Sequence, residues 1–155
     1  GCDIVYRHIL NKQDLQYYLD YFASHKREFK KYDIIYIACH GWHHAISLEG
    51  EDGHIDLSEL KTMANGFFEN RIIHFSSCKT LANPDEARKF KEGCGARLVS
   101  GYEISVDAMT SAIADAAFFN EIMYYQNIGI FKNEATSKFW KRYESLLNDL
   151  RFSMY

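Results

Sequence analysis

Strands and helices alternate along this sequence in the order expected of an α/β domain with a mostly parallel central sheet. Three observations carry that expectation. Two apolar runs, Ile34-Ile35-Tyr36-Ile37-Ala38-Cys39 and Ile72-Ile73-His74-Phe75-Ser76, each read as a buried strand. Leu15, Tyr18, Leu19 and Phe22 recur at helical spacing ahead of the first run. Asn83-Pro84-Asp85-Glu86 follows the second run with a capping residue, a proline in the first turn and a glutamate three past the cap, which is a clear helix start.

The remaining elements follow in chain order. Residues 3–9 read as a strand, and Asn11 offers an N-cap to a helix over about residues 12–30. Strand 34–39 comes next, so the order implies a right-handed parallel crossover from the first strand. Ile46-Ser47-Leu48 and Ile55 flank Glu51-Asp52-Gly53 as a small hairpin. Asp56-Leu57-Ser58-Glu59 resembles a capping box and opens a helix of about ten residues. Strand 71–76 ends in Ser77-Cys78, and the helix from Asn83 stops near Gly93-Cys94-Gly95. Arg97 to Tyr102 is a further strand. A helix with few charges, from about Val106 to Tyr125, is expected to pack on the sheet. A last helix spans about 134–150 with Phe139, Trp140, Tyr143, Leu146, Leu147 and Leu150 on its apolar side.

A chain of 155 residues with 47% hydrophobic and 25% charged residues suits one domain with one core, residues 1–155. The first residue is Gly1 and the strand signal begins almost at once, so the expectation is a piece of a longer chain. The net charge of −3 carries no basic stripe of the kind that marks direct nucleic-acid binding. The cluster Lys26-Arg27-Glu28-Phe29-Lys30-Lys31 reads as the solvated end of a helix. No apolar run approaches the ~20 residues that span a bilayer, so no membrane partner is expected. Four cysteines, Cys2, Cys39, Cys78 and Cys94, match neither a zinc knuckle nor a redox pair, and a reducing cytoplasm is the expected compartment.

His40 and Cys78 each terminate an apolar strand. In an open parallel sheet the carboxyl ends of neighbouring strands form the ligand crevice. A histidine and a cysteine delivered there make a thiol–imidazole pair, the working part of a cysteine peptidase. Cys78 would be the nucleophile, with outward backbone N–H groups available to hold an oxyanion. His40 would be the general base and then the acid, and Gly41 after it permits close approach. The structural alternatives are a buried packing cysteine and a hydrogen-bonded loop histidine. His43 and His44 compete for the role of base. His40, His43, His44 and His54 could also supply zinc ligands, but no partner cluster supports a metal, so none is expected. Cys39 and Cys94 read as packing residues. Gly-x-Ser-x-Gly, phosphate-loop and dinucleotide fingerprints are absent.

Taken together, an apolar strand then His-Gly, a hairpin with an acidic turn, a short helix, and an apolar strand ending in Ser-Cys resemble the caspase-like fold. The match is best to its CHAT group, related to caspases and separase. Gly93 to Gly101 resembles that group's glycine-flanked strand, and Val106-Asp107 before a long helix resembles its V-x-D region. The resemblance spans about residues 33–125, although His43-His44 and the residues before Asp107 depart from it. It implies a caspase-like αβα sandwich and a His40–Cys78 dyad. It also implies endopeptidase activity on a protein or peptide substrate, without metal or organic cofactor. Gly41 and Cys78 would supply the oxyanion N–H groups, and a fused or bound regulatory module would control activity. The loop after strand 97–102 would line the pocket for the residue before the cut. A desolvated carboxylate there, Asp107 in preference to Glu103, would favour Arg or Lys. Two other readings stand beside this one. The first is an inactive domain of the same fold acting as an interaction module. The second is an unrelated doubly wound domain that binds a small ligand, which requires His40 and Cys78 on non-adjacent strands.

Overall fold

The computed structural model describes residues 2–50 and 53–155. Along the chain come α1 (Lys12–Ser24), α2 (Lys26–Phe29), β1 (Ile34–Ala38), β2 (His40–Trp42), β3 (Ala45–Ser47), β4 (Ile55–Asp56) and α3 (Leu57–Met63). There follow β5 (Ile72–Ser76), α4 (Pro84–Cys94), β6 (Leu98–Tyr102), α5 (Ala108–Ile122), α6 (Ile128–Lys132), α7 (Lys138–Asp149) and β7 (Phe152–Met154). The central sheet has the order β1-β5-β6-β7. Its first three strands are parallel, with Tyr36 opposite His74 and His74 opposite Ser100, and β7 closes it antiparallel. The expected α/β class with a mostly parallel sheet is therefore observed. A second, smaller antiparallel sheet is formed by β2, β3 and β4.

Side-chain alternation along the strands divides the core in two. On one face Ile73, Phe75 and Val99 pack with Leu19, Leu60, Phe68 and Phe90 from α1, α3, α4 and the loop after α3. On the other, Leu98 and Tyr102 pack with Phe118, Phe131, Phe139 and Leu147 from α5, α6 and α7. Helix boundaries follow local chemistry. Asn11 accepts the Asp14 amide, Asp56 the Glu59 amide, and Asn83 those of Asp85 and Glu86. Glu59 does not return the bond to Asp56 but pairs with Lys12. Gly95 ends α4 at φ 68°, a left-handed cap that glycine adopts without strain.

Several expectations are corrected. Residues 3–9 form no strand. Ile4 and Tyr6 are 81% and 74% exposed, and the segment is held by side chains, Asp3 to Lys31 and Arg7 over the Tyr18 ring. A strand needs a ladder as well as β-prone residues, and this segment has none. The crossover built on it falls with it, and the parallel connections run instead from β1 to β5 and from β5 to β6. The helix expected over 12–30 breaks at His25, whose amide caps α1 on the Tyr21 carbonyl. The basic residues beyond the break are exposed as expected. The hairpin is present with Ile46 opposite Ile55, although Glu51 and Asp52 of its turn lie outside the described residues. The helix after Asp56 has seven residues, not ten. The short α6 and β7 are additional to the expected elements. Among the described residues no helix is long and apolar enough to cross a membrane.

Replacing Asn83 by Ala removes the acceptor for two amides at the start of α4. The expected cost is about 1 kcal/mol, read from the midpoint of urea unfolding. Asn83→Asp should retain most of the stability, and equal loss in both variants would argue against the cap.

Candidate active site

The strands that deliver His40 and Cys78 are neighbours. Ala38 lies opposite Ser76 in the β1–β5 register, so Cys39-His40 and Ser77-Cys78 leave the sheet side by side. This disposes of the condition on which the small-ligand reading stood, that the two residues sit on non-adjacent strands. Beyond β1 the chain turns directly into β2, and the β2–β3 hairpin runs along the segment after β5. The His44 amide donates to the Lys79 carbonyl, and Thr80 Oγ1 donates to the Ala45 carbonyl. Thr80 Oγ1 also meets Ser77 Oγ at 2.6 Å, which fixes the turn that presents Cys78.

Gly41 makes the closest approach in this region. A Cβ on Gly41 would lie 1.9 Å from the Cys78 carbonyl oxygen and 2.8 Å from the Cys78 nitrogen. Those are backbone atoms and cannot swing aside, so only glycine fits. The Cys78 amide itself donates to no partner among the described residues. An unsatisfied N–H at a strand end is a ready donor for a developing oxyanion.

The Cys78 sulfur is half-buried and is held by the residue before α5. Its thiol donates to the Val106 carbonyl at 3.7 Å, and the Val106 amide donates to the sulfur at 3.4 Å. His40 is exposed, and among the described residues its ring makes no hydrogen bond, to the sulfur or to any carboxylate. The backbones around the two residues are thus brought together, while the imidazole and the thiol are not bonded to each other. His43 and His44 occupy the exposed turn of the hairpin, with His44 at φ 47°. His54 is engaged by Ser47 Oγ and lies flat on Trp42, and among the described residues no three histidine, cysteine or carboxylate side chains are grouped so as to hold a metal ion.

Asp107 is the N-cap of α5. Its Oδ1 accepts the amide and the hydroxyl of Thr110, both at 2.9 Å, and these bonds hold the carboxyl below its ordinary range. The side chain is solvent-exposed rather than desolvated. Glu103 points elsewhere. Its Oε1 accepts the Tyr155 hydroxyl at 3.3 Å, and its amide donates to the Arg151 carbonyl. Cys39 is packed against the core, where burial pushes its thiol up to about 11, and Cys94 is buried and likewise raised. Both behave as packing residues. Of the four cysteines, Cys2 is exposed and remote in the N-terminal segment.

The residue that sequence reasoning passed over is Asp115. It sits on α5 at 4% exposure and accepts from four side chains. Oδ1 takes His74 Nε2 at 2.8 Å and the Tyr102 hydroxyl, and Oδ2 takes the Ser76 hydroxyl and the Tyr36 hydroxyl at 3.1 Å. His74 Nδ1 meets Ser100 Oγ at 2.9 Å. Burial pushes the Asp115 carboxyl up, but the hydrogen bond and charge of His74, with the bonds from Ser76 and Tyr102, outweigh it and hold it below the usual carboxylate range. The serine–histidine–aspartate sequence of contacts is fully enclosed, with Ser100 and His74 both at 0% exposure, so it serves structure and not nucleophilic attack. The available signal was His74 itself, an imidazole inside an apolar strand, which demands a buried partner.

The chain belongs to a family of unknown function, DUF6642, whose family model matches residues 1–155. No curated protein matches it.

Two expectations follow from this geometry. Gly41→Ala should cost about 1–3 kcal/mol through overpacking against the Cys78 backbone, measured by chemical unfolding. An unchanged midpoint would show that the hairpin does not press on Cys78. For Asp115→Asn the sign is set by the lowered carboxyl. Stabilisation by Asp115 is complete above about pH 4 and is lost as pH falls through the folded value. The difference in Tm between the parent protein and Asp115→Asn should therefore be larger at about pH 7 than at about pH 3. The same difference at both would rule out an ionised Asp115.

Proposed function

We propose that this member of the family is a cysteine endopeptidase in which Cys78 is the nucleophile and His40 the general base. The backbone contact between Gly41 and Cys78 carries the reading. It sets the histidine's strand and the cysteine's turn against each other at the carboxyl ends of adjacent parallel strands, beside an unpartnered Cys78 amide. The finer description of the architecture as a caspase-like sandwich of the CHAT type belongs to the same proposal. So do a reducing, cytoplasmic setting and control by a fused or bound regulatory module.

In this mechanism His40 takes the thiol proton and the sulfur attacks the scissile carbonyl. The amides of Cys78 and Gly41 hold the oxyanion. The protonated imidazole then gives its proton to the leaving amine, and water hydrolyses the thioester. His40 must come within hydrogen-bond reach of the sulfur or of a bridging water for the first transfer, a tightening that accompanies substrate binding in such sites. Asp107 sits one residue beyond Val106, which flanks the sulfur. Its exposed carboxylate is the acceptor for an Arg or Lys side chain before the cut. Glu103, committed to Tyr155, is the weaker candidate.

The exposed, unbonded His40 ring is the observation that favours a second reading, an inactive domain serving as an interaction module. A thiol-reactive peptide ketone separates the two. The peptidase reading expects Cys78 to be labelled, His40→Ala to slow labelling, and Cys78→Ala to abolish it. Peptides with Arg before the bond should be cleaved about tenfold faster than those with Asp. Labelling confined to Cys2, with no cleavage of either peptide, would leave the interaction module standing.

A further inference from the structure

Trp42 has no place in the core. It is 52% exposed, yet it is firmly held. Its ring lies parallel to the His54 imidazole, with centroids 5.3 Å and planes 8° apart. His54 is anchored in turn to Ser47, which stands opposite His40 in the hairpin. The Lys79 ammonium sits over the indole, 5.8 Å from its centroid. Strand alternation puts Trp42 on the same face of β2 as His40, with Gly41 between them facing Cys78. Lys79 directly follows Cys78, and its backbone is clamped by Ile104 on one side and His44 on the other. Among the described residues no carboxylate pairs with it.

The sheet order then gives the site a polarity. Cys78 lies two residues beyond the end of β5, the strand between β1 and β6. The chain leaving β6 brings Val106 and Asp107 to one side of it. The chain leaving β1 brings Trp42 and His54 to the other, where the Lys79 ammonium, from the segment that follows Cys78, lies over the indole. A peptide lying across the strand ends passes from an anionic flank, over the sulfur, to a cationic flank with an aromatic floor.

We propose that Trp42, His54 and Lys79 form the subsite for the residue that follows the scissile bond, and that this subsite takes an acidic side chain. The assignment rests on the peptidase reading, with Asp107 receiving the basic residue before the cut. The carboxylate pairs with the partly exposed Lys79 beside the indole, so the preference is modest. The substrate class is then a protein segment with a basic residue followed by an acidic one.

Two internally quenched peptides, identical except for Glu or Lys after a common Arg, test this on the full chain. The ratio of their kcat/KM values should favour Glu by about fivefold. It should fall towards one in Lys79→Gln and invert in Lys79→Glu. Equal cleavage of the two peptides by the parent protein would overturn the subsite and leave the peptidase reading intact. Should neither be cleaved, that reading fails and the cleavage subsite with it, and binding decides only whether Trp42, His54 and Lys79 receive an acidic side chain. Trp140 is buried, so fluorescence changes in the Cys78→Ala protein report on Trp42. Tighter, salt-sensitive quenching by the Glu peptide, lost in Lys79→Gln, supports the assignment. Equal quenching by both peptides, or none, refutes it.

Discussion

The Asp115 carboxylate joins the two halves of this molecule that meet at Cys78. Its donors come from all three parallel strands, Tyr36 on β1, His74 and Ser76 on β5, and Tyr102 on β6. An ionised carboxylate in an apolar layer is tolerable only when its lone pairs are filled, and here two donors meet each oxygen. Removing one partner of such an arrangement leaves a buried charge uncompensated, at a cost of about 3–5 kcal/mol. The four donors also fix a helix. Asp115 anchors α5 two turns beyond its N-cap, and with α5 comes Val106, the residue that grips the Cys78 sulfur. The position of the Cys78 thiol is therefore set from beneath by a network it does not touch.

That network also fixes how His74 is protonated at Nε2. A carboxylate accepts and cannot donate, so the nitrogen facing Asp115 carries a hydrogen. The Ser100 hydroxyl faces the other nitrogen and can act as either partner. Around the ring, Phe118 stacks at 4.7 Å and Tyr36 at 5.7 Å, closing the imidazole off from solvent. A polar residue in the middle of the central strand is thus compatible with a dry core because both of its ring nitrogens have a mate.

Much of this architecture was legible from residues, and the reasons for what was not are physical. The strands of the parallel sheet announced themselves as apolar runs, although only β5 and β6 are buried on both faces; β1, at the sheet edge, is partly exposed, with Tyr36 at 49%. The start of α4 was legible because Asn83 and Pro84 act locally. Residues 3–9 misled because β-propensity describes a side chain's fit to a pleated surface and says nothing of whether a neighbouring strand is offered. The helix through residue 30 was read too long because the apolar spacing continues to Phe29 across a break made by a backbone cap at His25. The three residues of β7 are too few to show a period. In the site, the adjacency of His40 and Cys78 followed from chain order. The role of Asp107 as a helix cap could have been read from Thr110 three residues on. Asp115 was hidden because one acid in a largely apolar helix resembles a stray surface position.

The strand period also governs what the site requires of its histidine. Gly41 faces the protein and touches Cys78, so its neighbours on β2, His40 and Trp42, face out. The imidazole and the indole consequently belong to the surface a substrate would meet, and the sulfur lies below it, drawn towards Val106. A peptide carbonyl seated at the Cys78 amide would fill the space between. The backbone of β2 cannot rotate to help, because the approach of Gly41 to Cys78 leaves no room for a shift. Rotation of the His40 side chain is the remaining freedom. It is unopposed, since no hydrogen bond holds the ring where it stands. A substrate bound across the strand ends would therefore meet an imidazole that is free to turn, on a backbone held in place by Gly41 against Cys78.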